Sequence, residues 1–229
     1  MPRKPLSHEM QEIKDEILLL SSMAEEAVMG SVKALKNNDL EHAHHIVSND
    51  MYINQRQFEI EISIMVLIAT QQPISHDLRW LTASLHICTE LERIGDYAKG
   101  IANIHIRSEG WNLPTISKEI YDMAEMAVGM LHRAMTAFAE EDARTARSII
   151  QQDDAIDSCY AQLYSSAIQN VVGDLRSMER ANYVIWAAHN LERLGDRVSH
   201  ICEQVIYIVH GKHPDLDSAR QKPSLLWSE

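Results

Sequence analysis

The chain has 229 residues, 45% of them hydrophobic, so it can bury one large core or two modest ones and is not a disordered chain. Its 33 acidic and 21 basic residues give a net charge of −12, which disfavours direct binding to nucleic acid or anionic lipid. Eight glycines, six prolines and two phenylalanines, among many Ala, Leu, Met, Glu and Ile residues, predict an all-α protein.

Apolar residues at steps of three and four predict six long helices along the chain. Asp39 is a predicted N-cap, and Pro73 and Gly173 are predicted helix breaks. A segment containing Gly and Pro at residues 108–114 separates the first three helices from the last three. The predicted helices span residues 7–38, 39–72, 74–107, 117–138, 141–172 and 178–210.

These helices fall into two sets of three joined by short turns, which predicts two tandem three-helix bundles that pack as a rigid body. The first bundle is expected over residues 7–108 and the second over residues 115–211. Residues 212–229 are mostly polar and are expected to form a flexible tail.

An internal repeat supports this division. The stretch ELERIGD at residues 90–96 recurs 100 residues later as NLERLGD. Met-Ala-Glu of residues 23–25 also recurs at 123–125, and the block that starts at Asp50 recurs at Asp153. Three matches in the same order indicate an internal duplication, and two copies are too few for a solenoid.

Each copy of the repeated stretch carries two acids one helical turn apart, Glu92 with Asp96 and Glu192 with Asp196. Helical rotation places each pair in line with apolar residues, so an apolar stripe is predicted to run directly into two carboxylates. The stripes include Ile74, Leu78, Leu81, Leu85 and Cys88 in the first copy and Met178, Ala181, Ile185 and Ala188 in the second.

The second helix of each copy is predicted to present further side chains toward these acids. Ionised carboxylates in such a place would cost roughly several kcal/mol each unless a cation neutralised them. Oxygen-rich clusters on facing helices suit iron, zinc, manganese or magnesium. Asn54 is a neutral and weaker ligand than the Asp157 of the second copy, so it predicts a weaker first site. The predicted metal-binding residues are Asp50, Asn54, Glu92, Asp96, Asp153, Asp157, Glu192 and Asp196.

Two glycines and one histidine belong to the same prediction. Gly95 and Gly195 would let a neighbouring helix approach the acids closely, although glycine costs about 1 kcal/mol in a helix. His189 could join the second site, but Thr89 stands at its position in the first copy. It is therefore outside the repeated pattern.

Three interpretations of the acids remain open. They form metal sites in a non-catalytic regulator, they belong to a carboxylate-bridged dimetal enzyme, or they are exposed or salt-bridged acids of a metal-free helical adaptor. The sequence has no nucleophile motif, phosphate-binding loop or dinucleotide fingerprint, and the motif helices lack the Glu-x-x-His of dimetal bundles. No catalytic residue is predicted, and the first interpretation is favoured.

The cysteines and the apolar runs bear on the compartment. Cys88, Cys159 and Cys202 form no Cys-x-x-Cys pair, so neither a disulfide framework nor a thiolate zinc site is indicated, and a reducing cytoplasm is expected. The start of the chain lacks the apolar segment of a secretion signal. The longest apolar run, residues 64–69, is far shorter than the roughly 20 residues that cross a bilayer. Any membrane association is expected to occur through a partner.

At these residues the sequence resembles the PhoU family of phosphate-signalling regulators, which has two tandem three-helix units, each with a Glu/Asp-x-x-x-Asp signature. Residues 92–96, 153–157 and 192–196 match the signature, and QPISHDLR at residues 72–79 is similar to the segment before it. The resemblance implies a cytoplasmic homodimer that binds multinuclear iron or zinc clusters at these motifs. It also implies that the protein restrains a sensor histidine kinase and modulates an ABC phosphate importer, so that phosphate-starvation genes stay off when phosphate is plentiful.

Overall fold

The computed structural model describes residues 5–108, 117–169, 171 and 175–212. Within these residues the chain forms helices and no strand, so the predicted all-α fold is confirmed. The helices are α1 Leu6–Asn37, α2 Leu40–Gln71, α3 Ser75–Arg107, α4 Ser117–Glu140, α5 Ala143–Ile150, α6 Asp153–Gln169 and α7 Leu175–His210.

The turn after the first helix is built in the same way in both copies. Asn38 adopts the left-handed conformation at the end of α1, and the Asp39 carboxylate then accepts a hydrogen bond from the His42 amide, 2.9 Å away. In the second copy Glu141 takes the left-handed conformation, and Asp142 caps α5. A side-chain oxygen at the N-cap satisfies amides that have no partner within the helix.

The prediction of one helix over residues 141–172 is wrong. The chain ends α5 at Ile150 and starts α6 at Asp153, with a turn in which the Gln152 amide donates to the carbonyl of Ile149, 2.9 Å away. Asp153 and Asp154 then occupy the first turn of α6, where the helix dipole favours negative charge. α6 ends at Gln169, and the break predicted at Gly173 lies outside the described residues.

Four helices, α1, α3, α4 and α7, pack in a closed ring at the centre of the fold. α2 lies outside the ring on α1 and α3, and α5 and α6 lie on α4 and α7 in the equivalent place. The long motif helices α3 and α7 run antiparallel, since Arg79 near the start of α3 donates to the carbonyl of Ile208 near the end of α7. At the other end the Tyr183 hydroxyl donates to the carbonyl of Arg107. Gly95 and Gly195 are therefore both near the middle of this pair of helices.

The two copies share one hydrophobic core. Trp80 of the first copy stacks on Phe138 of the second with their ring centroids 5.5 Å apart, and both side chains are buried. The continuous core also contains buried residues of all seven helices, among them Ile17, Ile64, Ile149, Leu163 and Leu191. The copies thus pack side by side. The domain boundaries 7–108, 115–211 and 212–229 stay a prediction, because residues 109–116 and 213–229 lie outside the described part of the chain.

None of the helices in the described residues has a stretch long and apolar enough to cross a membrane.

Candidate metal centre

The first acidic group forms where α2 crosses α3 at Gly95. A Cβ on Gly95 would lie 3.1 Å from both Cδ1 and Cγ2 of Ile53, closer than most real Cβ contacts. The glycine therefore permits a close approach of the two helices, as the sequence predicted. Asp50, one turn before Ile53 on α2, consequently lies close to α3 and is only 4% exposed.

The buried Asp50 carboxylate has a cation as its main partner. Lys99 Nζ donates to Asp50 Oδ2 at 2.6 Å and lies 4.0 Å from Asp96 Oδ1. Asn54 Nδ2 also donates to Asp50 Oδ2, at 3.4 Å. The predicted residues of the first group are thus brought together, with a lysine that the sequence analysis did not include.

The charges of this group act on one another. Burial raises the pKa of the Glu92 carboxyl, and the charges of Asp96 and Asp50 raise it further, while Arg93 and Lys99 lower it. The pKa of Asp96 is also raised, first by burial and then by Asp50, with Lys99 opposing. The hydrogen bond to Asp50 is the largest of the effects that raise the pKa of Lys99. The group therefore favours a bound positive charge, and Lys99 supplies one.

The second acidic group forms at Gly195 of α7. A Cβ on Gly195 would lie 2.5 Å from Asp153 Oδ1, so only glycine leaves this carboxylate its place. Ser199 Oγ donates to the other oxygen, Asp153 Oδ2, at 2.9 Å. His189 Nδ1 lies 3.3 Å from Glu192 Oε2, so the structure places this histidine beside the group.

Negative charge in the second group is compensated less directly. Burial raises the pKa of Asp153; the bond from Ser199 lowers it, and the charges of Asp157 and Asp196 raise it again. Burial raises the pKa of Glu192, and the charge of Asp196 raises it further. The charge of His189 lowers it in part. The pKa of the Tyr160 hydroxyl is raised by burial and by Glu192. The four predicted residues of the second copy therefore lie within electrostatic reach of one another.

Several buried oxygens of these groups have no hydrogen-bond partner. They are Asp50 Oδ1 and Asn54 Oδ1 in the first group, and Asp153 Oδ1 and Glu192 Oε2 in the second, although the last has the His189 ring nitrogen at ion-pair distance, 3.3 Å away. A buried polar atom without a partner is costly, and such an oxygen is suited to a cation. In the second group the donor set, carboxylate oxygens with an imidazole nearby, fits iron, zinc or manganese. In the first group the Lys99 ammonium already hydrogen-bonds one oxygen of Asp50.

The carboxylates are not gathered into a ready coordination shell. Among the described residues, no three His, Cys, Asp or Glu side chains converge on a point where they could hold one metal ion. An ion could be held there only after some of these side chains moved closer together. The assignment of the eight residues as metal ligands stays a prediction.

The predicted apolar stripe is wrong in part. Leu81 and Cys88 are fully buried, but Ile74 is 76% exposed, Leu78 38% and Met178 57%. Helical rotation predicts which side chains of α3 and α7 share one face of the helix. In the structure α2 and α6 cover only part of that face. The acids lie at the edge of the covered part, so Glu92 and Glu192 are half-buried and Asp96 and Asp157 are exposed.

Two features near the motif were missed. Lys99 is one turn after Asp96 on the same helix, which was a readable signal. Arg197 donates to Glu90 at 3.3 Å and so joins α7 to α3, with both side chains largely buried. No sequence signal indicates that pair, because its partners come from different copies and only the antiparallel packing brings them together.

Comparison with known proteins agrees with the duplication. The PhoU domain model matches the chain twice, at residues 17–104 and 120–205. A protein of Clostridium acetobutylicum, named phosphate-specific transport system accessory protein PhoU homolog, is 33% identical over 218 residues, which are 95% of this chain and all of that protein. A Pseudomonas putida protein of the same name is 34% identical over 89% of this chain and 80% of its own length.

Solved structures show the same fold. The crystal structure of the phosphate transport system regulatory protein PhoU from Streptococcus pneumoniae has a TM-score of 0.84 and 29% identity, covering 91% of this chain and 99% of that one. The crystal structure of PhoU from Pseudomonas aeruginosa has a TM-score of 0.85 and 30% identity, covering 91% and 100%.

Fold and site together define an all-helical, internally duplicated protein with an acidic motif on the last helix of each copy, α3 and α7. The chain belongs to the PhoU family.

Proposed function

We propose that this chain is a cytoplasmic negative regulator of phosphate uptake and phosphate-starvation signalling. The observation that carries the proposal is the match of both copies to the PhoU domain, with relatives named as accessory proteins of a phosphate-specific transport system. Those names describe accessory and regulatory proteins, which supports a non-enzymatic role. The partners we propose are a sensor histidine kinase and the ATPase of an ABC phosphate importer, and the working form is a homodimer.

Exposed apolar side chains on α2 and α6 support action by protein contact. α2 exposes Phe58, Met65 and Val66, each more than half exposed, and α6 exposes Ile168 at the equivalent face of the second copy. Exposed apolar side chains concentrated on one face are typical of surfaces that bind another protein. The net charge of −12 favours basic surfaces on that partner.

Metal binding is the second part of the proposal. Asp153, Asp157, Glu192 and Asp196 would hold iron or zinc, with manganese or magnesium as further candidates. Such an ion would supply positive charge to oxygens that have no hydrogen-bond partner and would tie α6 to α7. The residues themselves position their carboxylates through the Ser199 hydroxyl and through the close approach at Gly195.

A pull-down of the tagged full chain, from cells grown with and without phosphate, tests the partners. We expect to recover a histidine kinase or an importer ATPase by mass spectrometry. Deleting the gene should raise expression of a phosphate-starvation reporter in phosphate-rich medium, and restoring it should reverse the effect. Recovery of neither partner together with an unchanged reporter would contradict the proposal.

Metal analysis of protein purified without chelator tests the second part. Wild type should retain metal, and the variant with Glu192→Ala and Asp196→Ala should lose it. Metal in neither protein would contradict metal binding at the second group.

A metal-free helical adaptor is the second candidate. The observation in its favour is that the described carboxylates do not converge as they stand, and that Asp50 and Asp153 already have the partners Lys99 and Ser199. Metal-free wild type that still binds its partners and still represses the reporter would favour this candidate.

A further inference from the structure

The two acidic groups differ at one equivalent position of the repeat. Lys99 follows Asp96 by three residues in α3, and Ser199 follows Asp196 by three residues in α7. Each side chain hydrogen-bonds the facing aspartate of its own copy, Lys99 to Asp50 at 2.6 Å and Ser199 to Asp153 at 2.9 Å. The contact is the same in both copies, but the lysine brings a positive charge and the serine brings none.

The ammonium of Lys99 lies among the carboxylates of the first group. It is 2.6 Å from an oxygen of Asp50 and 4.0 Å from an oxygen of Asp96, and its charge also acts on Glu92. An ion shared by these three carboxylates would be within a few ångströms of the ammonium. Like-charge repulsion at that separation opposes binding, and the lysine also occupies one of the oxygens that the ion needs.

The second group has a serine where the first has Lys99, so no ammonium offsets its negative charge at that position. It contains four carboxylates, those of Asp153, Asp157, Glu192 and Asp196, whereas the first contains three because Asn54 replaces one. Arg193, which follows Glu192, is directed away and lies over the ring of Tyr97, 5.5 Å from its centroid. The His189 imidazole beside Glu192 is a metal ligand type rather than a permanent cation.

We infer that Lys99 is the built-in cation of the first acidic group, so that this group is closed to metal and an ion binds only at the second group, where Ser199 stands. The inference rests on the metal binding proposed above and states which copy carries it. Asn54 alone predicts only a weaker first site; Lys99 replaces the ion there. In the first copy the Lys99 ammonium then joins α3 to α2 without an ion, whereas in the second copy a metal ion would add to the contact between α6 and α7.

Exchanging the two residues tests the inference. The full-length proteins are stripped with chelator and dialysed against Zn²⁺ alone, and zinc per chain is measured by mass spectrometry. Circular dichroism and gel filtration check that each variant is folded. The starting variant carries Glu192→Ala and Asp196→Ala, which leaves only the first group; Lys99→Ser or Lys99→Arg is then added to it. Ser199→Lys is made separately in wild type.

We expect wild type to hold zinc and the starting variant to lose it. Adding Lys99→Ser should restore zinc, and Lys99→Arg, which keeps the charge, should not. Ser199→Lys should reduce zinc to the level of the starting variant. Zinc should also raise the midpoint of thermal unfolding when the starting variant carries Lys99→Ser. It should not raise this midpoint when the starting variant carries Lys99→Arg. If Lys99→Ser fails to fold, Lys99→Gln, with a longer neutral side chain, replaces it.

Two results would overturn the inference while leaving metal binding in place. One is zinc retained by the starting variant and removed by a further Glu92→Ala, since the first group would then bind metal despite Lys99. The other is that wild type holds zinc but the starting variant gains no zinc when Lys99→Ser or Lys99→Gln is added to it. If no protein of the set holds zinc, the inference and the proposed metal binding both fail.

Discussion

Arg197 of the second copy donates to Glu90 of the first across the contact between α3 and α7, with Nη1 and Oε2 3.3 Å apart and only 14% and 13% of the two side chains exposed. Breaking a largely buried pair is costly, and Glu90 would keep only the more exposed Arg93 and His200 as partners. We expect Arg197→Met to lower the free energy of unfolding by roughly 3 kcal/mol in urea titrations.

A matched control for this pair is available on the same carboxylate. Arg93 also contacts Glu90, at 3.2 Å, but its side chain is 48% exposed. Arg93→Met should change stability by less than about 0.5 kcal/mol, because exposed ion pairs contribute little. Equal effects of the two substitutions would contradict the role given to Arg197.

Gly95→Ala should destabilise the protein although alanine is the better helix former. The new methyl group would lie 3.1 Å from two atoms of Ile53, and overpacking of this kind costs about 1–3 kcal/mol. Gly129 is the control, since a Cβ there meets nothing within 4 Å and the residue is exposed in α4. Gly129→Ala should raise the free energy of unfolding by roughly 0.5–1 kcal/mol. Stabilisation by both substitutions would show that α2 and α3 do not need the glycine.

His105 should make the protein less stable in mild acid. Its side chain is fully buried, and both ring nitrogens lack a hydrogen-bond partner among the described residues. Burial lowers its pKa below the ordinary 6.5, although the charge of Asp39 partly opposes this. The unfolded chain therefore binds a proton near pH 6.5 that the folded chain takes up only at lower pH, and stability falls as the pH drops below about 6.5.

Comparing wild type with His105→Leu isolates this contribution. The variant should lose less stability than wild type between pH 7 and pH 5 in denaturant titrations. His44→Leu, at an exposed position of α2, should follow the wild-type pH dependence. A His105→Leu curve parallel to that of wild type would contradict the assignment.

Asp153→Asn should have opposite effects on stability and on metal binding. The pKa of Asp153 is raised by burial and by neighbouring acids, so the neutral amide should stabilise the metal-free protein. The gain should be only about 0.5 kcal/mol, because solvent screens a half-buried carboxylate. Zinc retention should fall at the same time. Asp154→Asn, exposed and next in sequence, should leave zinc retention unchanged and should lower stability by a few tenths of a kcal/mol through the helix dipole. A stability loss in Asp153→Asn as large as that in Asp154→Asn would contradict this account of the site.

Much of the fold was predictable, because period and capping are local properties. The helix ends at Asn37 and Gln71 follow from an Asp cap and a proline, which act within one turn. The break at Gln151–Gln152 was not predicted, because nothing in that stretch disfavours a helix as proline or glycine would. In the structure the break puts Asp153 at the start of a new helix, beside Gly195.

The site was predictable as a set of residues and not as an arrangement. Repeat and rotation identified the acids, and the structure groups them by copy. Rotation could not show how far α2 and α6 cover the motif helices, which decides that Leu78 and Met178 are exposed. Nor could spacing alone show that the flexible Lys99 side chain reaches Asp50, since that contact depends on how closely α2 approaches at Gly95.

The stacking of Trp80 on Phe138 has a consequence for the history of the chain. Each copy completes its apolar interior with side chains of the other, so neither half would bury its interior if produced alone. The duplicated halves have become mutually dependent and should melt in a single cooperative transition. A core mutation in one half should therefore destabilise the other half as well. The acidic groups lie outside this shared core, so they can differ in charge, as Lys99 and Ser199 show, while the core stays common.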